Sequence, residues 1–264
     1  MAISKALLSV DSAKAIKAQG YGYLNGIHYM APASSAGVGN LCQGASQGCI
    51  THCLGIYSGQ AAMVADLEHG VNNVRASRIA KARAFMANRG EYLNELGLAI
   101  AKLRRQAAAE GLKPVARLNG STDIPFERMA FVIGARLAKA IGAQAGARMT
   151  LLAAFPDVQF VDYTKIASRL AKAPANLALT FSRSEVNESE CVDALAAGHN
   201  VAVIFGDGLP DTWNGYPVID GDKHDLRHLD PIGVVVGLSP KGAKIKTDST
   251  GFVVWGDSTR RAAA

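Results

Sequence analysis

The sequence has few aromatic side chains, no long apolar segment and only four cysteines. Phe, Trp and Tyr make up 6% of the 264 residues, which argues against a surface that stacks the bases of single-stranded nucleic acid. No apolar run approaches the roughly 18 residues of a transmembrane helix, so no membrane partner is expected. The N-terminus leads into an Ala/Lys-rich pattern rather than the apolar core of a signal peptide. We therefore expect a soluble protein of a reducing cytoplasm, where disulfides are rare.

The remaining composition is that of a folded chain with a mild excess of positive charge. Hydrophobic residues make up 49% of the sequence, enough for one large domain with a substantial core. Lys and Arg number 28 against 22 Asp and Glu, which favours an acidic partner such as nucleic acid only weakly.

Three of the four cysteines lie in one stretch, residues 40–54, with the spacing C-x6-C-x3-C. A Gly/Ser-rich loop carries Cys42, whereas Cys49 and Cys53 are four residues apart and share a face if Cys49 opens a helix. The free amides and the positive dipole end of such a helix would then face the thiolates. The stretch is typical of a metal site.

Three interpretations of the cysteines remain open. Structural zinc usually has paired C-x2-C motifs, which are absent, whereas a cluster of cysteines plus a remote one fits four-thiolate ligation of an iron-sulfur cluster. Cys191, near the start of a predicted helix, is the candidate fourth ligand, although it also fits a helix-core position. Unligated buried thiols are the third interpretation. His52 is either a hydrogen-bond donor behind the ligands or a solvent-facing helix residue.

We predict a single domain, 1–264, in four parts. Residues 1–39 form an N-terminal helix and a hairpin that turns at Asn25–Gly26, and the cysteine loop follows at 40–54. Residues 55–112 are helical, with helices over 57–69, 72–88 and 91–110. The basic side chains of this helical part form either a solvated face or a polyanion-binding surface: Arg75, Arg78, Lys81, Arg83, Arg89, Lys102, Arg104 and Arg105.

Residues 113–256 alternate apolar runs of strand length with helical patterns. Strands are predicted at 114–118, 158–162, 177–181, 201–205, 217–220 and 233–237, and helices at 126–140, 163–170 and 188–197. Such βα repeats form parallel sheets, and their number favours an α/β fold resembling a TIM barrel, complete or partial, with an N-terminal cysteine loop and extra helices.

Polar residues follow the predicted strands where each one ends. Because the carboxyl ends of parallel strands lie on one face, we expect these side chains to line a binding or catalytic pocket at the barrel rim. The candidates are Asn119, Asp123, Asp162, Ser182, Glu185, Asp207 and Asp222.

Several stretches together resemble the phage "gene product 88" family of uncharacterised proteins. They are the cysteine loop 40–54, RLNGSTDIP (117–125), FVDYTK (160–165), LTFSRSE (179–185) and VIDGDKHDLR (218–227). The resemblance covers about residues 21–254. It implies a bacteriophage or prophage origin and expression in the bacterial host cytoplasm, and it specifies no activity.

The cysteine loop is also distantly similar to that of radical S-adenosylmethionine enzymes, which pair three cysteines with a partial TIM barrel. Those enzymes typically have C-x3-C-x2-C, so the spacing differs here. If Cys191 binds the fourth iron, the cluster is structural, redox-active or sensory, and if it does not, one iron stays open for chemistry.

Two functions follow from the sequence. The first is a [4Fe-4S] protein that acts as a redox protein or cluster-dependent enzyme, with its pocket at the rim. The second is a phage accessory protein whose basic helices, within 72–105, bind nucleic acid or a host protein, with a cluster or a structural zinc ion that stabilises the fold or senses redox state.

Overall fold

A mixed sheet of nine strands forms the centre of the molecule in residues 6–256, the part that the computed structural model describes. The strands, in chain order, are β1 (Leu8–Ser9), β2 (Tyr23–His28), β3 (Lys113–Arg117), β4 (Phe131–Val132), β5 (Arg148–Met149), β6 (Gln159–Thr164), β7 (Leu177–Ser182), β8 (Asn200–Ile204), β9 (Thr212–Trp213), β10 (Tyr216–Asp220) and β11 (Val235–Leu238). Their order across the sheet is β1-β2-β3-β6-β7-β8-β11-β10-β9, and β4 pairs separately with β5.

Helices fill most of the connections between these strands. They are α1 (Ala13–Gln19), α2 (Gln47–Thr51), α3 (Leu54–Tyr57), α4 (Asn73–Ala87), α5 (Arg89–Ala109), α6 (Ala135–Ile141), α7 (Leu151–Ala154) and α8 (Glu188–Ala196). Asn72 caps α4 by accepting hydrogen bonds from the Val74 and Arg75 amides, and Asn88 caps α5. Both long helices were predicted within a few residues of these bounds.

The prediction of a TIM-barrel-like fold is wrong, because the sheet does not close. Seven neighbouring strands, from β2 to β10, run parallel as the βα repeats predicted. A barrel requires the first and last strands to pair with each other. Here β1 pairs antiparallel with β2 at one edge and β9 pairs antiparallel with β10 at the other. The α/β character is retained in an open sheet.

The predicted hairpin at Asn25–Gly26 is also wrong. Both residues lie within the straight strand β2, paired in parallel with β3. A Cβ atom on Gly26 would lie 2.8 Å from Leu103 Cδ2 of α5, so glycine here permits close packing of a helix on the strand rather than a turn. The six predicted strands after residue 113 are confirmed, each within two residues at its ends.

Three predicted helices are replaced in part by other structure. Residues 57–69 contain the end of α3 and a 3-10 turn, Gly59–Ala62, and residues 163–170 contain the end of β6 and the start of the 3-10 helix Ala167–Lys172. In the stretch 126–140, a 3-10 turn and β4 precede α6, which begins after Gly134. Two of these stretches contain a glycine, Gly59 and Gly134, and isolated helices of this length are marginal, so helix propensity alone does not decide them.

Two large apolar clusters pack on the sheet. One joins α4, α5 and α6 to β2, β3 and β6, with Phe85, Leu96, Ile100, Phe126 and Phe160 buried in it. The other surrounds β7, β8 and β11 and contains Phe181, Leu195 and Val201. No helix within residues 6–256 is long and apolar enough to cross a membrane.

Candidate functional site

A cavity of about 200 Å³ lies at the carboxyl ends of the parallel strands. Residues 119–123 after β3, Thr164 and Lys165 at the end of β6, and Ser182 and Arg183 at the end of β7 line it. Ile204 of β8 and Leu238 of β11 complete this side. The structure therefore brings the strand ends together around one space, as parallel strands require.

The cysteine loop lies over this cavity, and Cys42, Cys49 and Cys53 all line it. Cys42 forms an isolated parallel bridge with Asp123, which joins the loop to the segment after β3. Ser46 caps α2 by accepting a hydrogen bond from the Cys49 amide at 3.2 Å. The three thiols, separated by up to eleven positions in sequence, thus face one space.

Glu185 fastens the cysteine loop to the segment after β7. Its carboxylate accepts hydrogen bonds from the Ser46 hydroxyl and the Gly48 amide, each at 2.7 Å. A Cβ atom on Gly48 would lie 2.7 Å from Phe252 Cβ, closer than side chains approach. Glu185 was predicted to bind substrate, but its contacts give it the role of positioning α2.

Burial keeps two of the loop thiols protonated. It raises the pKa of Cys42 to about 12, and the neighbouring Cys53 and Cys49 add to this effect, while a hydrogen bond from the Ala33 amide opposes it. Burial likewise raises the pKa of Cys53 to about 11. A bound cation stabilises thiolates and displaces their protons. Metal binding at these cysteines would therefore release protons and strengthen with rising pH.

Cys191, the predicted fourth ligand, lies elsewhere. Its side chain is buried in the apolar cluster with Phe181 and Leu195, and its thiol lies 3.6 Å from Asn187 Oδ1. It is not among the described residues that line the cavity. Cys191 therefore occupies a helix-core position, the alternative to a ligand role that its sequence pattern also allowed.

The lining of the cavity carries more positive than negative charge. Four cationic side chains contribute to it, namely Arg117, Lys165, Arg183 and Lys241. Nε of Arg183 is buried and has no hydrogen-bond partner among the described residues. Asp123 is the acidic residue among the described lining residues, and the buried Arg169 binds its carboxylate at 2.5 Å. Three of these cations are paired with acids outside the lining, Arg117 with Asp225, Arg183 with Glu188 and Lys241 with Asp222, so much of the positive charge is already offset.

Three rim candidates belong to a buried network around Arg169, whose side chain is 1% exposed. The guanidinium binds both carboxylate oxygens of Glu127 and one of Asp123, and lies 3.5 Å from Asp162 Oδ2. Asn119 donates to Asp162 at 2.5 Å. Burial raises the pKa of Asp162 to about 6, although Arg169 opposes the shift. These polar groups are occupied in holding the segment after β3.

The remaining three candidates, Ser182, Asp207 and Asp222, do not lie together in the structure. Ser182 lines the cavity. Asp207 is exposed and accepts a hydrogen bond from the Gly256 amide, and Asp222 pairs with Lys241 at 2.7 Å. Neither carboxylate belongs to a described residue that lines the cavity, because their loops lie beyond β8 and β10, toward the far edge of the sheet.

His52 is buried rather than solvent-facing, with 6% of its surface exposed, and it is one of the residues around the cavity. Its Nε2 lies 2.8 Å from Oδ1 of Asp248, which is fully buried. Burial alone would raise the pKa of Asp248, but hydrogen bonds from Thr250, Val253 and His52 outweigh it and lower the pKa to about 2. The carboxylate is therefore ionised at neutral pH.

The basic helical segment is used largely within the fold. Arg75 is buried and donates to four backbone carbonyls, those of Ile56, Ala61, Leu67 and Gly70. Arg78, Lys81 and Arg83 donate to the carbonyls of Gly55, Ala6 and Ala36. Arg104 pairs with Asp157. These contacts hold the irregular segment after α3 and the N-terminal segment in place, which explains much of the basic character without a polyanion.

Within residues 6–256, no three His, Cys, Asp or Glu side chains converge on a point where they could bind one metal ion. The loop thiols instead surround a space with the liquid volume of about six or seven water molecules.

Sequence reasoning missed four residues of the site: Lys165, Arg169, Arg183 and Asp248. The first three fall in or beside the stretches after β6 and β7 that were examined for carboxylates and hydroxyls, so a count of cations there would have found them. Asp248 has a local signal, because an Asp two residues before Thr250 is typical of a side-chain turn. Its pairing with His52, 196 positions away, has none.

One protein family, described as Gene product 88, matches residues 5–255 of the chain. The resemblance inferred from the sequence motifs is thereby confirmed at the level of the family, and the description states no activity. The likeness to TIM-barrel iron-sulfur proteins finds no such support. No curated protein matches the chain. No solved structure matches it either.

Proposed function

We propose that this chain, which belongs to the phage gene product 88 family, binds a [4Fe-4S] cluster through Cys42, Cys49 and Cys53 and serves as a redox protein. The observation that carries the proposal is the placement of Cys42, Cys49 and Cys53 around one cavity at the carboxyl ends of the parallel strands. Three irons of such a cluster would each bind one of these thiolates.

The charges around the cavity support an anionic cluster. Three thiolates would give the bound cluster negative charge, which Lys165 at the end of β6 would partly offset. The Ala33 amide donates to Cys42 Sγ at 3.2 Å, and backbone amides of Gly55 and Ile56 lower the pKa of Cys53. Hydrogen bonds to the sulfurs and the surrounding charge set the potential of such a centre. When bound, the cluster supplies transfer of single electrons.

Apolar side chains form part of the remaining wall. Leu54, Ile245 and Phe252 line the cavity beside the cysteines, and Ile245 and Phe252 are buried. A hydrophobic shell controls solvent access and hence the potential and oxygen sensitivity of a cluster. The lining therefore suits a permanently bound redox group better than a polar substrate that binds and leaves.

The two alternatives are less well supported by the side chains. An enzyme would need polar groups free to act on a substrate, but Asn119, Asp123 and Asp162 are bound in the Arg169 network. A nucleic-acid surface on residues 72–105 would have to use the exposed cations Arg83, Arg89, Lys102 and Arg105. Arg75 and Lys81 are buried in backbone contacts. We therefore favour the redox function over these two alternatives.

Anaerobic purification tests the proposal, with iron, sulfide and zinc measured per chain together with the visible absorption spectrum. We expect about four irons and four sulfides per chain. Cys42→Ala, Cys49→Ala and Cys53→Ala should each lose most of the iron. Cys191→Ala is the matched control, and it should retain the cluster because its thiol does not line the cavity. Stoichiometric zinc, or a metal-free wild-type chain, would refute the proposal.

A further inference from the structure

We propose that a second cavity, beside α3, binds a small organic anion whose carboxylate or phosphate group is held by Arg78. This cavity has a volume of about 180 Å³. It is separate from the cavity under the cysteine loop, although Gly55 lines both of them. Binding at this site does not require the cluster.

Four segments of the chain form this second cavity: the segment after β2, α3, residues 68–71 and the first two turns of α4. Helix α4 contributes two arginines, Arg75 and Arg78, which are three positions apart. Residues with this spacing lie on the same face of a helix. The side of the cavity formed by α4 therefore carries two positive charges.

The charge of these two arginines is not offset by the fold. Neither forms an ion pair with a carboxylate within residues 6–256. Arg75 donates to four backbone carbonyls, which satisfy its N–H groups but leave its net charge in place. Glu68 also lines the cavity, but its two oxygens bind Lys244 and the Tyr57 hydroxyl, each at 2.7 Å. An anion beside these partly buried cations would stabilise them.

Arg78 keeps free the edge of its guanidinium that binds oxyanions. Its Nη1 donates to the Gly55 carbonyl at 2.5 Å, and its Cζ lies 4.7 Å from the centre of the Tyr29 ring. These two contacts fix the plane of the group. Nε and Nη2 have no hydrogen-bond partner within residues 6–256, yet they are not closed off from solvent as Nε of Arg183 is.

This edge determines the chemistry of the ligand. Nε and Nη2 lie side by side, at the spacing that binds two oxygens of one carboxylate or phosphate group. Arg78 lines the second cavity and is not among the described residues around the first. Burial lowers the pKa of Arg78 from its usual value, and the positive charge of Arg75 adds to this effect, as expected where a cation lacks a counter-ion.

The rest of the lining indicates an anion that has an apolar part. Ile56 and Ile79 are half-buried in the lining, and Val71 lies at its exposed side, with 64% of its surface accessible. The cavity has the liquid volume of about six water molecules, which leaves space for a few carbon atoms beside the oxyanion. A short-chain carboxylate or a small phosphate ester has this combination.

Ligand-observed NMR on the full-length chain tests the inference, at constant ionic strength. The probes are butyrate and ethyl phosphate, which separate the two head groups, and butanol, which lacks the charge. We expect saturable binding of at least one of the two anions and none of butanol. Arg78→Gln should weaken this binding about 10–100-fold, because it removes a bidentate contact to a charged group. Arg83→Gln, which changes an exposed arginine of α4 outside the lining, should bind like the wild type.

A second variant keeps the test decisive if Arg78→Gln misfolds, since Arg78 also holds the Gly55 carbonyl. Val71→Trp retains both arginines and fills the exposed side of the cavity, so it should block binding in a folded chain. A wild type that binds neither anion, or equal binding by Arg78→Gln or Val71→Trp, would overturn the site. Iron content does not enter these measurements, so their result is separate from that of the proposed function.

Discussion

Removing the carboxylate of Glu185 should loosen the cysteine loop from the sheet. Glu185 accepts one hydrogen bond from the Ser46 hydroxyl and one from the Gly48 amide. Ser46 in turn accepts from the Cys49 amide. Glu185→Ala therefore leaves the start of α2 without its anchor, and Cys49 loses a fixed position over the cavity.

The magnitude follows from these two contacts. A hydrogen bond to a charged group contributes about 1.5–3 kcal/mol, and water partly replaces the lost acceptor because Glu185 is partly exposed. We expect Glu185→Ala to lower the free energy of unfolding by about 3 kcal/mol, or about 6–12 °C in Tm for a chain of this size. Glu185→Gln keeps one acceptor oxygen and should cost about 1 kcal/mol.

The stabilisation of the fold by the Glu185 carboxylate should weaken as pH falls. Burial opposes ionisation of Glu185, but hydrogen bonds from Gly48 and Ser46 outweigh it and hold the pKa below its usual value. A carboxylate with a lowered pKa in the folded state stabilises the fold above its unfolded pKa, and the stabilisation is lost as pH falls through the folded pKa. The difference between wild type and Glu185→Gln should be full at pH 7 and vanish in acid.

Urea denaturation at several pH values, with iron content measured in parallel, checks this prediction. Glu190→Gln is the matched control, since Glu190 is an exposed acid five residues away. We expect it to melt like the wild type and to retain iron. If Glu185→Ala were as stable as Glu190→Gln at pH 7, the carboxylate would not anchor the loop and the reasoning would be refuted.

Two further predictions concern packing and buried charge. Gly48→Ala places a methyl group 2.7 Å from Phe252 Cβ, so denaturation should show a loss of about 1–3 kcal/mol, with lower iron content. An unchanged midpoint would contradict the close packing of α2. Arg169→Met leaves its three carboxylate partners buried without a cation and should cost about 3–5 kcal/mol. The cost should shrink at pH 5, where protonation relieves Asp162, whose pKa burial raises to about 6, and a pH-independent loss would contradict the network.

The parallel strands could be predicted from sequence because their signal is local. An apolar run such as 201–205, flanked by helical and turn patterns, is long enough for a buried strand and too short for a helix. All six predicted strands of residues 113–256 are present. Whether the sheet closes into a barrel could not be predicted in this way, because closure depends on which edge strands pair with each other. Two short strands, β1 and β9, decide that the sheet stays open.

The dipeptide Asn-Gly shows the same limit. It was assigned to a hairpin at Asn25–Gly26, where packing against Leu103 of α5 selects a straight strand. A second copy, Asn214–Gly215, does form the tight connection between β9 and β10, and both of its residues have positive φ angles of 48° and 82°. The local preference is equal at the two positions, so the tertiary surroundings decide between them.

The sequence alone determined the spacing of the three loop thiols, the strand ends and the family of the chain. Only the tertiary structure decided that Cys191 packs in the core, that Arg169 binds the rim carboxylates, and that Asp248 orients His52. The reason is physical. Strand and cap preferences act over a few residues, whereas burial, ion pairing and hydrogen bonding join groups such as His52 and Asp248 that are 196 positions apart, and no local pattern encodes such a contact.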